Sequence, residues 1–183
     1  MKKILLYDSN PDEREMVLNL CNSEEIECFY TGDNSLDLCF EDALDIYEND
    51  DSEINAYTKH FLLMRGFSKE EFLKLDEKLM ELNLSDSLIK ISLTEHNGGW
   101  LLKNLFKEVE KEDRLYKKIE ILRNLLDECN RLDYSLSSNE QRLAIQDNFL
   151  HAFILLNSRK INEEDVDNSI HLLEEQIQNY KNK

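Results

Sequence analysis

The sequence predicts an α/β fold: a short, mostly parallel four-stranded sheet with flanking helices, followed by an all-α C-terminal helical hairpin or three-helix bundle. Apolar strand-type runs alternate with amphipathic helical stretches through residue 112, the pattern of β-α-β units joined by right-handed crossovers. From residue 113 the pattern becomes uninterrupted helix, with apolar residues stepping by three and four. Four Gly and one Pro in 183 residues are too few turn formers for an all-β design. The predicted boundaries are an α/β domain over 1–112 and a helical extension or bundle over 113–183. A chain of this length buries about 70% of its unfolded-state surface, so its stability requires neither a metal nor a disulfide.

The elements follow in order. Lys3–Tyr7 is a continuous apolar run, read as a buried strand. Pro11 suits a first helical turn, and Asp12, Glu13 and Glu15 favour the positive end of the helix dipole. Met16, Val17, Leu20 and Cys21 give that helix its apolar face. Residues 26–30 form a second strand, ended by Thr31 and Gly32. An acidic stretch over 33–53 holds a short helix around 35–44 and a mobile loop at its tip, where large apolar residues are missing. Residues 58–64 form a third strand. Ser68 with Glu71 is a capping-box pair opening a helix with Phe72, Leu75, Leu79 and Leu82 inward. Residues 88–93 form a fourth strand. A loop over 94–99 leads to a helix starting at Trp100, with Leu101, Leu105, Phe106 and Val109 inward.

In the helical part, Leu115, Ile119, Leu122, Leu126 and Cys129 form a heptad seam. Ser137 or Ser138 caps a helix running to about Ser158. Leu143, Ile145, Phe149, Leu150, Phe153, Ile154 and Leu156 make it apolar nearly all round, so it is predicted to be the most buried of the three. Asn162 caps a last helix with the stripe Val166, Ile170, Leu173, Ile177 and Tyr180. The stripes are read as intramolecular core; seams of this period also pair between chains, which leaves a homodimer through the C-terminal helices open.

Charge narrows the partner classes. With 22 Lys+Arg against 39 Asp+Glu the formal net charge is −17, which argues against general binding to nucleic acid or anionic membranes. Residues 1–112 carry −14 of it and residues 113–183 carry −3. From Glu15 to Thr58 there are 13 acidic residues and no Lys or Arg. Asp42, Asp45, Glu48, Asp50 and Asp51 are therefore the candidate docking surface for a basic protein partner, the bland alternative being a solvated face. The four apolar residues after Lys3 are too few for an export signal, and no apolar run approaches the ~20 residues of a membrane span. The expectation is a cytoplasmic protein with no membrane partner. Cys21, Cys28, Cys39 and Cys129 contain no Cys-x-x-Cys pair and are expected to be reduced, mostly buried thiols.

Two loops are candidate ligand sites. Thr94, His96, Asn97, Gly98 and Gly99 lie between a strand and a helix start, where free backbone N–H groups could hold a phosphate or carboxylate. The competing reading is a turn in which Asn97 or Thr94 caps the helix, the two glycines take unusual dihedrals and Trp100 enters the core. Asp8, Ser9 and Asn10 would lie beside that loop if the first and fourth strands are parallel neighbours; the competing role for Asp8 is a helix cap. His96 could act as acid or base near Asp8. His60, His151 and His171 are isolated in sequence, so no metal is assigned, no cofactor is expected and no catalytic residue is named. Asp33, Ser35 and Asp37 mimic the start of a calcium loop, but Leu38 and Leu44 occupy its Gly and Glu positions, which rules out an EF-hand.

The run Ile4-Leu5-Leu6-Tyr7-Asp8-Ser9-Asn10-Pro11 with Glu13-Arg14-Glu15 resembles the opening of a two-component receiver domain. In that family a strand ends in an acidic pair that binds Mg²⁺. Asp8 matches the first acid and Ser9 replaces the second. Ile89-Lys90-Ile91-Ser92-Leu93-Thr94 resembles the receiver strand that ends in a switch Thr or Ser. The third strand ends in Met64-Arg65-Gly66, without the Asp that the family phosphorylates, and the fifth strand with its Lys is not evident. The resemblance implies a degenerate, flavodoxin-like relative that cannot accept a phosphoryl group. Residues 61–112, with Phe61-Leu62-Leu63-Met64-Arg65-Gly66-Phe67, Ser92-Leu93-Thr94, Asn97, Trp100 and Leu105, resemble a small bacterial family of unknown function, number 3783, which implies a fold segment and carries over no established activity.

The function expected is a non-catalytic regulatory or protein-interaction module with an acidic docking surface. The alternatives are a small anionic-ligand or nucleotide binder or hydrolase using the two loops, and a structural homodimer.

Overall fold

A computed structural model of the chain describes residues 2–8, 10–133 and 138–181. The chain divides into two compact units, Met1–Glu110 and Lys111–Lys183. The first is built on four strands, β1 (Lys3–Tyr7), β2 (Glu27–Thr31), β3 (His60–Arg65) and β4 (Leu88–Ser92), in the order β2-β1-β3-β4. This is the mostly parallel α/β sheet that the alternating pattern predicts: β1 pairs with β2, and β3 with β4, in parallel.

The central pairing is different. β1 and β3 are antiparallel, with Tyr7 opposite Phe61 and Lys3 opposite Arg65. A parallel connection requires a crossover of a dozen or more residues, usually a helix. Between β2 and β3 the only helical pieces are a 3₁₀ turn (Asp33–Ser35) and the four-residue helix α2 (Phe40–Ala43). They replace the single helix predicted over 35–44. The segment leaves β2 at one end of the sheet and re-enters β3 at that same end, so β3 runs backwards. The receiver resemblance implies strands in one direction; here the end of β3, where that family carries its acceptor Asp, lies at the opposite end of the sheet from Asp8.

Alternation along β1 divides the core. Ile4 and Leu6 join Leu62 and Met64 against α1 (Pro11–Ser23) and α3 (Lys69–Glu81), through Val17, Cys21, Leu75 and Leu79. Leu5 and Tyr7 join Phe61, Leu63 and Ile91 on the other face, against α2 and the start of α4 (Leu102–Arg131). Every residue of β1 is buried, as expected of an inner strand covered on both faces. Phe61 stacks on Phe106 with ring centroids 3.9 Å apart.

The acidic tip, expected to be a mobile loop, is hydrogen bonded to the edge of the sheet. Tyr30 N donates to Asn49 Oδ1 (3.1 Å), Asp50 N to the Tyr30 carbonyl (3.0 Å) and Asp33 N to the Glu53 carbonyl (3.1 Å). β2 is an edge strand, and these bonds satisfy backbone groups that a bare edge would leave to solvent.

In the second unit the last part of α4 packs with α5 (Asn139–Leu156) and α6 (Glu163–Lys181) around Leu122, Leu126, Cys129, Ile145, Ala152, Val166, Leu173 and Ile177. Both predicted seams face this core. Ser138 closes a capping box with Gln141, and Asn162 Oδ1 accepts from Asp165 N at 2.8 Å; Ser137, the other candidate cap, lies outside the described residues. α4 continues unbroken through residue 113. α5 is not the most buried helix: Leu143, Leu150, Phe153 and Ile154 are each more than half exposed. Two partners cover only one side of it, so the apolar residues on its outer side remain in solvent. No helix among the described residues is long and apolar enough to cross a membrane. No disulfide joins the four cysteines; Cys21 and Cys129 are buried and Cys28 and Cys39 half-buried.

Candidate functional site

The antiparallel pairing of β1 and β3 brings Asp8, one residue past β1, next to His60 at the start of β3. His60 Nδ1 stands 3.0 Å from Asp8 Oδ1 and 3.5 Å from Glu13 Oε2. Glu13 comes from the first turn of α1, whose start is fixed by Pro11 and by Asn10 as N-cap, accepting from Asp12 N and Glu13 N. Asp8 is therefore not the cap. Its Oδ1 accepts from Asn10 N at 2.6 Å, tying the strand end to the helix entry.

The rest of the cluster holds Glu13 in place. Asn10 Nδ2 donates to Glu13 Oε1 and Ser87 Oγ to Glu13 Oε2, each at 3.0 Å. Ser87 precedes β4, whose first residue pairs with His60. The Arg14 guanidinium donates to the Asp8 carbonyl at 2.7 Å, lies 4.3 Å from the Tyr30 ring centre and reaches Asp51 at 3.4 Å.

The electrostatics of the cluster turn on Asp8. Asp8 is fully buried, and its Oδ2 has no hydrogen-bond partner among the described residues. Burial pushes its carboxyl above the ordinary Asp range, against the smaller opposing pulls of the Asn10 N–H and the His60 imidazole. A buried carboxylate oxygen left without a partner costs on the order of kilocalories per mole. Asp8, Glu13 and His60 together offer three ligand atoms all within 4.8 Å of one another.

The other predicted loop is elsewhere. Because β4 runs parallel to β3, the loop after β4 lies at the far end of the sheet from Asp8, roughly 15 Å of strand away. β3 also separates β1 from β4, so the two loops do not form one site. The loop after β4 satisfies itself: Thr94 N donates to Asn97 Oδ1 (2.7 Å), Asn97 Nδ2 to the Ser92 carbonyl (3.0 Å), Gly98 N to the Thr94 carbonyl (3.2 Å) and Trp100 N to the Asn97 carbonyl (3.0 Å). His96 is exposed, and its N donates to Thr94 Oγ1. Neither Gly98 nor Gly99 has a positive φ; the glycine that does is Gly66. α4 starts at Leu102 because the loop first pairs with α2, Glu41 N donating to the Gly98 carbonyl and Phe40 N to the Trp100 carbonyl. Trp100 is about half exposed rather than in the core. Glu41 and Glu95 line the depression beside the loop, and they would repel an anion there.

The predicted acidic surface is partly used within the chain. Asp45 pairs with Arg65 at 2.8 Å, Asp51 with Arg14, and Asp50 accepts from Ser52 N and Oγ at 2.9 Å. Asp42 and Glu48 are exposed and form no ion pair among the described residues. Ser9 lies outside the described residues.

Sequence reasoning missed the meeting of Glu13 with His60 and Ser87 because it depends on strand direction. The missing long helix between β2 and β3 was the signal that could have supplied it. No protein-family model matches the chain, and no curated protein or solved structure does either.

Proposed function

We propose that this chain is a non-catalytic regulatory or protein-interaction module, and that the acidic flank of its α/β unit receives a basic protein partner. The observation that carries the reading is the pair of exposed, unbridged carboxylates Asp42 and Glu48 within a stretch that holds 13 acids and no Lys or Arg from Glu15 to Thr58. Such a face attracts a positively charged surface at long range, and salt screens that attraction over about 8–10 Å at ordinary ionic strength. The anionic-ligand alternative loses support, because the two loops it requires stand at opposite ends of the sheet and carboxylates flank the loop after β4. The test is capture of partners on the immobilised chain, repeated at raised salt and with the Asp42→Asn, Glu48→Gln double variant. The reading expects one captured species with a basic surface, released by salt and lost by the variant. Retention of the same species by the variant contradicts it.

A second reading, a homodimer through the C-terminal helices, is favoured by the exposed apolar residues Leu143, Leu150, Phe153 and Ile154 on α5. It expects a dimer mass in light scattering that Leu150→Glu reduces to a monomer.

A further inference from the structure

We propose that Asp8, Glu13 and His60 form a binding site for one divalent transition-metal ion. The geometry is the first argument. Ligands about 2.1 Å from a metal stand about 3.0–3.4 Å apart when adjacent, and no more than about 4.2 Å apart when opposite. His60 Nδ1 is 3.0 Å from Asp8 Oδ1 and 3.5 Å from Glu13 Oε2, and the three ligand atoms lie within 4.8 Å of one another. The pair not given a contact above, held within 4.8 Å, needs to close by at most about 0.6 Å to stand opposite each other across an ion.

The second argument is independent of spacing. Asp8 is fully buried and its Oδ2 has no partner among the described residues. Buried polar atoms nearly always have one, and the carboxyl group that carries this orphaned oxygen also faces the His60 imidazole through Oδ1 and shares a cluster with Glu13, an arrangement that calls for a cation. The third argument is the support around the ligands. Asn10 and Ser87 each hold one Glu13 oxygen, and Asn10 N fixes Asp8 Oδ1, the kind of outer contact that orients metal ligands. Two carboxylates with one imidazole suit Mn²⁺, Fe²⁺, Co²⁺ or Zn²⁺ better than the all-oxygen Ca²⁺ or Mg²⁺. Three protein ligands leave further positions for water. The receiver resemblance does not supply this set: Glu13 comes from a helix, and His60 is adjacent only because β3 runs antiparallel to β1.

The test uses the full chain after treatment with a chelator. Binding is measured by calorimetry with Zn²⁺ and by electron paramagnetic resonance with Mn²⁺, which disfavours the thiols that Zn²⁺ also takes. The expected result is one equivalent bound and a raised melting temperature, with Mg²⁺ and Ca²⁺ at least about tenfold weaker. Glu13→Gln, His60→Gln and Asp8→Asn should each weaken binding by about tenfold or more, while Asp42→Asn with Glu48→Gln leaves it unchanged. Circular dichroism checks that each variant folds. If Asp8→Asn does not, Glu13→Gln, on the rim of the site, decides. Absence of a stoichiometric ion at millimolar concentration would overturn the proposal; so would equal binding by the Glu13 and His60 variants, or a loss that follows only the Asp42 and Glu48 changes. In those outcomes the cluster is structural, with the His60 ring held between the Asp8 and Glu13 side chains.

Discussion

The two ends of the sheet use polar residues in opposite ways. At the Asp8 end, groups from β1, α1, β3 and the entry to β4 converge, and the buried Asp8 Oδ2 has no hydrogen-bond partner among the described residues. At the far end, the loop of Thr94, Asn97 and Gly98 is local, and its groups bond to one another and to Ser92. Both ends read in sequence as a short polar turn between a strand and a helix. They differ in whether the bonds close within the turn. A turn that satisfies itself has little left for a ligand, whereas a cluster drawn from four elements keeps binding capacity that folding has not used.

Large truncations sharpen the comparison most. Phe61 neighbours His60 and stacks on Phe106. Phe61→Ala should cost about 3–5 kcal/mol in urea denaturation and should remove divalent-ion binding with it. Trp100→Ala at the far end, where the ring is about half exposed, should cost clearly less and leave binding intact. Equal losses from the two changes would erase the distinction.

The asparagines come next. Asn10→Ala removes an N-cap and one hold on Glu13, and Asn97→Ala removes two bonds that close the turn; each should cost about 1 kcal/mol. Only Asn10→Ala should also weaken ion binding.

Acid provides a reference point outside both polar clusters. The Ser68 backbone N–H, with Lys2 at 3.0 Å, holds the Glu71 carboxyl down to about 2. A depressed carboxyl contributes stability above its unfolded pKa, near 4.5, and loses it as pH falls through 2. The stability gap between the wild type and Glu71→Gln should therefore be constant above about pH 5 and close toward pH 2. A gap that widens in acid would contradict the capping-box account.

The smallest effects belong to the glycines. A Cβ on Gly99 meets nothing within 4 Å, and one on Gly98 makes only ordinary contacts, the nearest 3.5 Å away at Glu41 Oε2 and Leu93. Gly98→Ala and Gly99→Ala should each change stability by less than about 0.5 kcal/mol. A loss of several times that from either would mean that the loop needs close approach by something else.

Local chemistry made much of the fold legible. The Ser68–Glu71 box, the Ser138 cap (one of the two serines offered), the Asn162 cap, Pro11 and the seams on α4 and α6 all act within a few residues, and each forms where the pattern placed it. The all-round apolar pattern of α5 misled, because pattern reports what a helix can bury and not how many neighbours it has. The site was less legible. Asp8 was visible as a strand-end carboxylate, but its partner His60 is 52 positions away in sequence. Their contact follows from the direction of β3, a property of the connection rather than of either strand.

The most direct test maps a paramagnetic ion. Mn²⁺ added at substoichiometric amounts to ¹⁵N-labelled chain should broaden the amides of Asn10, Glu13, His60 and Ser87 first, leaving Thr94, Asn97, Gly98 and Gly99 sharp. Broadening that begins at the far loop, or spreads evenly along the acidic flank around Asp42 and Glu48, would contradict the division between the two ends.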